Sequence, residues 1–271
     1  MRLRRTLALA ATAAAALAIG CVLPAAAATP ADDTDAPSYQ EFKASTFRDV
    51  DGSYVVNGDE VVSGQSELRA FYDKLMGPAT LTDGLIVNTV SGIEDKWSAS
   101  KVSNLTYCVS TKFGTRHADV VNAMQSGAAL WEAASSKINF VYLPSNDSKC
   151  TTRNNAVVFS VEPVATTQYI ARAFFHRTPD RQQNVLIDDS IWSSGSWTPT
   201  NIIGHELGHV LGFRHEHTRP ESGTCFEDNN WRPLTPYDSA SIMPYPQCNG
   251  SSADLSMTST DRAGVVSLYG N

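Results

Sequence analysis

The stretch His205-Glu206-Leu207-Gly208-His209-Val210-Leu211-Gly212-Phe213-Arg214-His215 constrains this chain more than any other. Thr198-Pro199 supplies an N-cap and a proline suited to the first turn of a helix. Ile202, Ile203, Leu207, Val210 and Leu211 then recur at helical spacing, which predicts a helix that stops at Gly212. On it His205 and His209 lie four residues apart and point the same way, as two imidazoles converging on one cation require. Glu206 is rotated by about 100° and can lean over the same point without ligating it, the placement a general base needs. Gly212 can take a left-handed conformation cheaply and turn the chain back, so that His215 closes a three-histidine set. Three imidazoles and one open position describe a catalytic zinc site, in which zinc acidifies a water molecule and polarises a carbonyl. The alternative is a chance run of surface or core histidines. Five specified positions in a chain of this length arise at random at a rate of about 10⁻⁴.

With 271 residues, 42% of them hydrophobic, the chain can build one cored domain with smaller appendages. Residues 29–45 read as a flexible lead-in. A small region over 46–80 follows, with an extended Tyr54-Val55-Val56, a turn at Gly58 and a short helix over Gln65–Met76 ended by Gly77-Pro78. A polar stretch from Ser91 to Ser100 separates it from the main domain. There, strands are expected at Leu105–Ser110, Ile138–Leu143, Ala156–Val161, Tyr169–Phe175 and Asn184–Asp189. A helix over Arg116–Ser135 puts Val120, Met124, Ala128 and Trp131 on one face, and a last helix covers Thr260–Tyr269. The order β-α-β-β-β-β-α followed by a loop-rich tail predicts an α+β fold, one sheet with helices packed on it.

The N-terminus reads as an export signal. Arg2, Arg4 and Arg5 precede an apolar, alanine-rich stretch, and Ala26-Ala27-Ala28 forms a cleavage site before Thr29. A membrane span and a lipid anchor at Cys21 are the other readings. The formal charge of −7 becomes three units more negative without those arginines, which argues against nucleic-acid partners. Beyond Cys21 four cysteines remain, an even number in an exported chain, and four permit three pairings. Cys108–Cys150 and Cys225–Cys248 are favoured because each encloses a local segment on one side of the histidine cluster. No pair has the C-x-x-C spacing of a thiolate metal site.

Residues 205–215 carry the signature of the metzincin metallopeptidases, and Ser241-Ile242-Met243-Pro244-Tyr245 resembles their Met-turn. The resemblance spans roughly residues 97–271. It implies a metzincin-like (zincin) fold: a twisted mixed five-stranded sheet, a backing helix, an active-site helix and a small C-terminal subdomain. Met243 would form the hydrophobic floor beneath Zn2+ held by His205, His209 and His215. Within that group the chain looks most like the astacins, whose pattern continues as Phe213, His215, Glu216 and Arg219 do here. The resemblance implies that Glu216 anchors the mature N-terminus and that Tyr245 stabilises the transition state. In Asn57-Gly58-Asp59 it implies a pro-segment aspartate, Asp59, that takes the place of water on zinc; an ordinary Gly-Asp turn is the alternative reading. No cysteine between Thr29 and Tyr107 could serve as a cysteine switch. Arg219-Pro220-Glu221-Ser222-Gly223 and Pro244 depart from the astacin pattern, and the end, Thr260–Gly270, looks more like matrixins. The implied protein is a secreted, monomeric zinc endopeptidase of 97–271 behind a pro-segment and linker over 29–96. Glu206 and Tyr245 carry the catalysis, polypeptides are the substrates, and the Tyr169–Phe175 strand with Arg172 lines the cleft. His176 and His217 are expected at the surface and His117 in a structural role. A peptidase of narrow specificity, a zinc-stapled binding module and a hydrolase of non-peptide bonds are the rival readings.

Overall fold

Short-range signals account for the first elements. The computed structural model describes residues 37–76 and 85–271; the export signal, Cys21 and the Gly77-Pro78 helix stop lie outside them. Helix α1 (Tyr39–Ser45) begins at a capping box between Ser38 and Glu41, so the lead-in expected to be flexible through residue 45 is helical from Tyr39. Strands β1 (Phe47–Arg48), β2 (Tyr54–Val56) and β3 (Glu60–Val62) form an antiparallel sheet in that order. Asn57 and Gly58, both at positive φ, make the reversal between β2 and β3. Helix α2 (Gln65–Leu75) sets Leu68 and Phe71 against Tyr54 and Val56 in a small core of their own.

Strands β4 (Ile86–Val90) and β5 (Ile93–Glu94) form a hairpin, followed by a single helical turn, α3 (Ala99–Val102). The main sheet comprises β6 (Leu105–Val109), β7 (Phe140–Tyr142), β8 (Phe159–Val164), β9 (Ala171–Arg172) and β10 (Asn184–Asp188). Its order is β7-β6-β8-β10-β9, with the first four strands parallel and β9 antiparallel at the edge. Helix α4 (His117–Glu132) and helix α5 (Pro199–Val210) pack together, and α4 buries the expected Val120, Met124, Ala128 and Trp131. The helices meet at Gly127 and Gly204, where a Cβ on Gly127 would lie 2.9 Å from the Gly204 nitrogen. Beyond α5 the chain is loop-rich, with one short strand, β11 (Trp231–Pro233), until helix α6 (Ser259–Tyr269). The outcome is α+β with a mixed five-stranded sheet.

Two further expectations need correction. The strand foreseen over Tyr169–Phe175 pairs only at Ala171 and Arg172. Ala173, Phe174 and Phe175 are all buried, a run that a strand with one solvated face cannot supply. The polar stretch Ser91–Ser100 is not a divider either. β4 pairs with β11, Val87 bridges Phe213, and the buried Trp97 donates its indole N–H to the Val210 carbonyl at 2.7 Å. Both disulfides take the favoured pairing: Cys108–Cys150 ties β6 to the loop after β7, and Cys225–Cys248 closes the loop-rich tail. Among the described residues no helix is long and apolar enough to cross a membrane.

Candidate metal centre

Helix α5 presents His205 and His209 on one face, and Gly212, at φ 97°, ends it. A Cβ on Gly212 would lie 2.4 Å from the Asp95 carbonyl oxygen, so glycine is required there by space as well as by conformation. The reversal carries His215 back beside the other two rings. Each ring donates its Nδ1–H to a fixed acceptor: His205 to the Ile242 carbonyl at 2.7 Å, His209 to the Phe213 carbonyl at 2.8 Å, and His215 to Glu227 Oε1 at 2.7 Å. Those acceptors assign the proton to Nδ1 and leave an Nε2 lone pair on every ring facing inward.

Asp59 enters the same space from the β2–β3 turn. Its Oδ2 lies 3.3 Å from His205 Nε2, and its Oδ1 lies 3.5 Å from His209 Nε2 and 3.1 Å from His215 Nε2. His205 Nε2 and His215 Nε2 are 3.3 Å apart. Ligand bonds of about 2.0–2.1 Å in a tetrahedron separate the ligand atoms by about 3.3–3.4 Å, which is the spacing found. Two lone pairs at that distance repel unless a cation attracts both. His209 Nε2 and Asp59 Oδ1 also have no hydrogen-bond partner among the described residues, although both are buried. The donor set therefore fits a divalent cation of the zinc type.

The remaining predicted residues surround this cluster. Glu206 is buried, its Oε2 has no partner among the described residues, and it lines a cavity of about 210 Å³ with Gly58, Tyr169, Ala171, Trp197 and Tyr245. Burial pushes its carboxyl well up, and the negative charge of Asp59 adds to the rise. The Tyr245 hydroxyl donates to Asp59 Oδ2, and a Cβ on Gly58 would lie 3.0 Å from that hydroxyl oxygen. Met243 is fully buried, and a Cβ on Gly208 would lie 2.6 Å from its sulfur, so the side chain packs directly under α5. Its turn is pinned by Asp261, which accepts from the Ser241 hydroxyl and the Ile242 amide. Glu216 is buried against Arg219 at 3.1 Å and accepts the Asp238 amide; burial, opposed by Arg219, pushes its carboxyl up to about 8.

The other histidines separate. His117 contacts Asp147 at 3.0 Å, and the partly exposed His176 contacts Asp95 at 3.2 Å, both away from the cluster. His217, expected at the surface, is instead 2% exposed. It stacks on His215 with ring centroids 4.6 Å apart, accepts the Tyr245 amide on Nδ1 and donates from Nε2 to Glu227 Oε1 at 3.0 Å. Glu227 itself escaped the sequence reading, as did the buried Arg214, which donates to Glu227, Glu60 and Asp228. One signal for Glu227 existed: a ligating imidazole needs an acceptor for its second nitrogen, and Glu227-Asp228 is the acidic pair nearest after His215.

No family model and no curated protein matches the chain. Two solved structures of myroilysin do. The first is 16% identical over 69% of this chain and 98% of its own, with a TM-score of 0.48. The second is 15% identical over 65% of this chain and 86% of its own, with a TM-score of 0.43. At that level of similarity the site rests on its own geometry.

Proposed function

We propose that this chain is a secreted zinc endopeptidase of the metzincin type, close to the astacins, held latent by the N-terminal segment that carries Asp59. The convergence of three Nε2 lone pairs at tetrahedral spacing, with Glu206 beside them, carries the reading. Zinc, when bound, supplies the positive charge that acidifies water and polarises the scissile carbonyl. His205, His209 and His215 hold it through Nε2, with each ring fixed by its Nδ1 partner. Glu206 Oε2 takes a proton from the attacking water and passes it to the leaving amine; its place on the cavity wall, with no protein partner on Oε2 among the described residues, suits both transfers. The Tyr245 hydroxyl, committed to Asp59 in the latent chain, turns to the oxyanion once that carboxylate leaves. β9 lies at the sheet edge and offers backbone groups to an extended peptide. Asp59 is the latch, and Glu216 the anchor for a new N-terminus.

Asp59 also supports a second reading, because a fourth protein ligand closes the site as in structural zinc centres. In that case the chain is a zinc-stapled binding module. Substitution of Glu206 by alanine in the processed protein separates the two: zinc content, read by atomic absorption, stays at the wild-type level while casein cleavage falls by at least about 10³-fold. Equal turnover by Glu206→Ala would exclude the mechanism, and a wild-type protein inert before and after processing would favour the module.

A further inference from the structure

Resting on the peptidase reading, we propose that Arg172 and Tyr169 form a receptor for an acidic side chain of the peptide substrate, and that Asp49 of the latent chain occupies it. Arg172 is fully buried although it belongs to the edge strand β9. Its Nε–H donates to Asp49 Oδ2 at 2.5 Å and its Nη2–H to Asp51 Oδ2 at 2.8 Å. The Tyr169 hydroxyl donates to the same Asp49 Oδ2 at 2.7 Å. Two donors from the 169–172 segment thus converge on one carboxylate oxygen, as a receptor for that group requires. Arg172 Nη1 donates to Asn184 Oδ1 at 2.9 Å, which fixes the guanidinium to the neighbouring strand independently of either aspartate.

Both carboxylates that pair with Arg172 lie in the turn between β1 and β2, ahead of Asp59 on the same segment. When that segment leaves, the guanidinium keeps a neutral tether and loses both counter-charges. Departure of the segment also opens the guanidinium toward the cleft, where another carboxylate can take up the donors that Asp49 held. The place is also continuous with the chemistry, since Tyr169 and Ala171 line the cavity that holds Glu206. Phe47 packs edge-on to Tyr169 with ring centroids 6.4 Å apart, so the segment lies across this part of the rim as well as on the metal cluster. An acidic residue of an incoming peptide replaces Asp49, and asparagine at the same position cannot, because it leaves the guanidinium uncompensated.

The test uses the full chain, zinc-loaded and processed by limited proteolysis, with pairs of quenched fluorescent peptides that differ only in aspartate or asparagine at one position near the cleaved bond. One position should favour aspartate by on the order of 10- to 100-fold in kcat/KM, carried mainly by KM. In Arg172→Gln this ratio should collapse toward one, which a purely structural role for the arginine would not cause. Should that variant fail to fold, the wild-type ratios decide alone. Equal turnover of every pair by the wild-type protein overturns the receptor while leaving the peptidase reading intact. Failure to cleave any peptide overturns both.

Discussion

Replacing Glu227 by glutamine tests how the third histidine is held. Glu227 Oε1 accepts from His215 Nδ1 at 2.7 Å and from His217 Nε2 at 3.0 Å, while Oε2 accepts from Arg214 Nη2 at 3.2 Å and from the Thr218 hydroxyl. Burial would raise this carboxyl, but His215 and His217 hold it well below the usual range, so it is an anion with all four partners donating to it. Glutamine is nearly isosteric, yet its NH2 group must face either the two imidazoles or Arg214 and Thr218. On the imidazole side two ring N–H groups would meet a donor; on the other side the guanidinium would. In both orientations His215 loses the negative charge that strengthens its Nε2 as a ligand. Loss of such an outer partner lowers metal affinity by about 10- to 100-fold, equivalent to about 1.4–2.7 kcal/mol. Competition with a chromophoric chelator on the full-length protein reads this directly. Asp73→Asn serves as the control, since Asp73 forms an exposed ion pair with Arg69 on α2 and should leave zinc affinity unchanged. A Glu227→Gln affinity within twofold of wild type would refute the view that this carboxylate orients and polarises His215.

Two further outcomes follow from the same geometry. Asp59→Asn in the unprocessed chain should retain zinc on three histidines and gain hydrolysis of a short reporter peptide, whereas the unprocessed wild type stays silent; a variant as silent as wild type would count against Asp59 as the latch. Gly212→Ala must place a Cβ 2.4 Å from a backbone oxygen at a left-handed φ, where the conformation alone costs about 1–2 kcal/mol. With the contact added, its melting temperature should fall by roughly 4 °C or more, measured by calorimetry, and a change below about 1 °C would show that the reversal tolerates a side chain.

Much of the centre was legible because its signals are local. Helical spacing sets His205 and His209 on one face, a glycine forces the reversal to His215, and the burial face of α4 follows from Val120, Met124, Ala128 and Trp131. What escaped depends on contacts between distant segments. His217 is buried because Glu227, Tyr245 and His215 surround it, and no periodicity within its own segment announces that. The polar composition of Ser91–Ser100 suggested a divider, yet Trp97 reaches α5 and β4 pairs with a strand about 140 residues further on. The edge strand was expected to be longer because its apolar run was assigned to pairing, whereas Phe174 and Phe175 spend it on packing. The Asp49–Arg172 contact had no sequence signal, since Asp49-Val50-Asp51 reads as an ordinary acidic turn.

β4 has a bearing on where the chain can be cut. The Arg214 amide donates to the Ile86 carbonyl at 3.0 Å, the Asn88 amide donates to the Gly212 carbonyl at 2.7 Å, and Val87 bridges Phe213. The backbone just ahead of His215 therefore leans on residues 86–88 as a splint. Scission near residue 96 would carry the splint away with the discarded piece and slacken the third ligand. Scission before Leu85 would spare it, so on the peptidase reading an activating cut is expected upstream of β4, with that strand left as the first element of the processed chain.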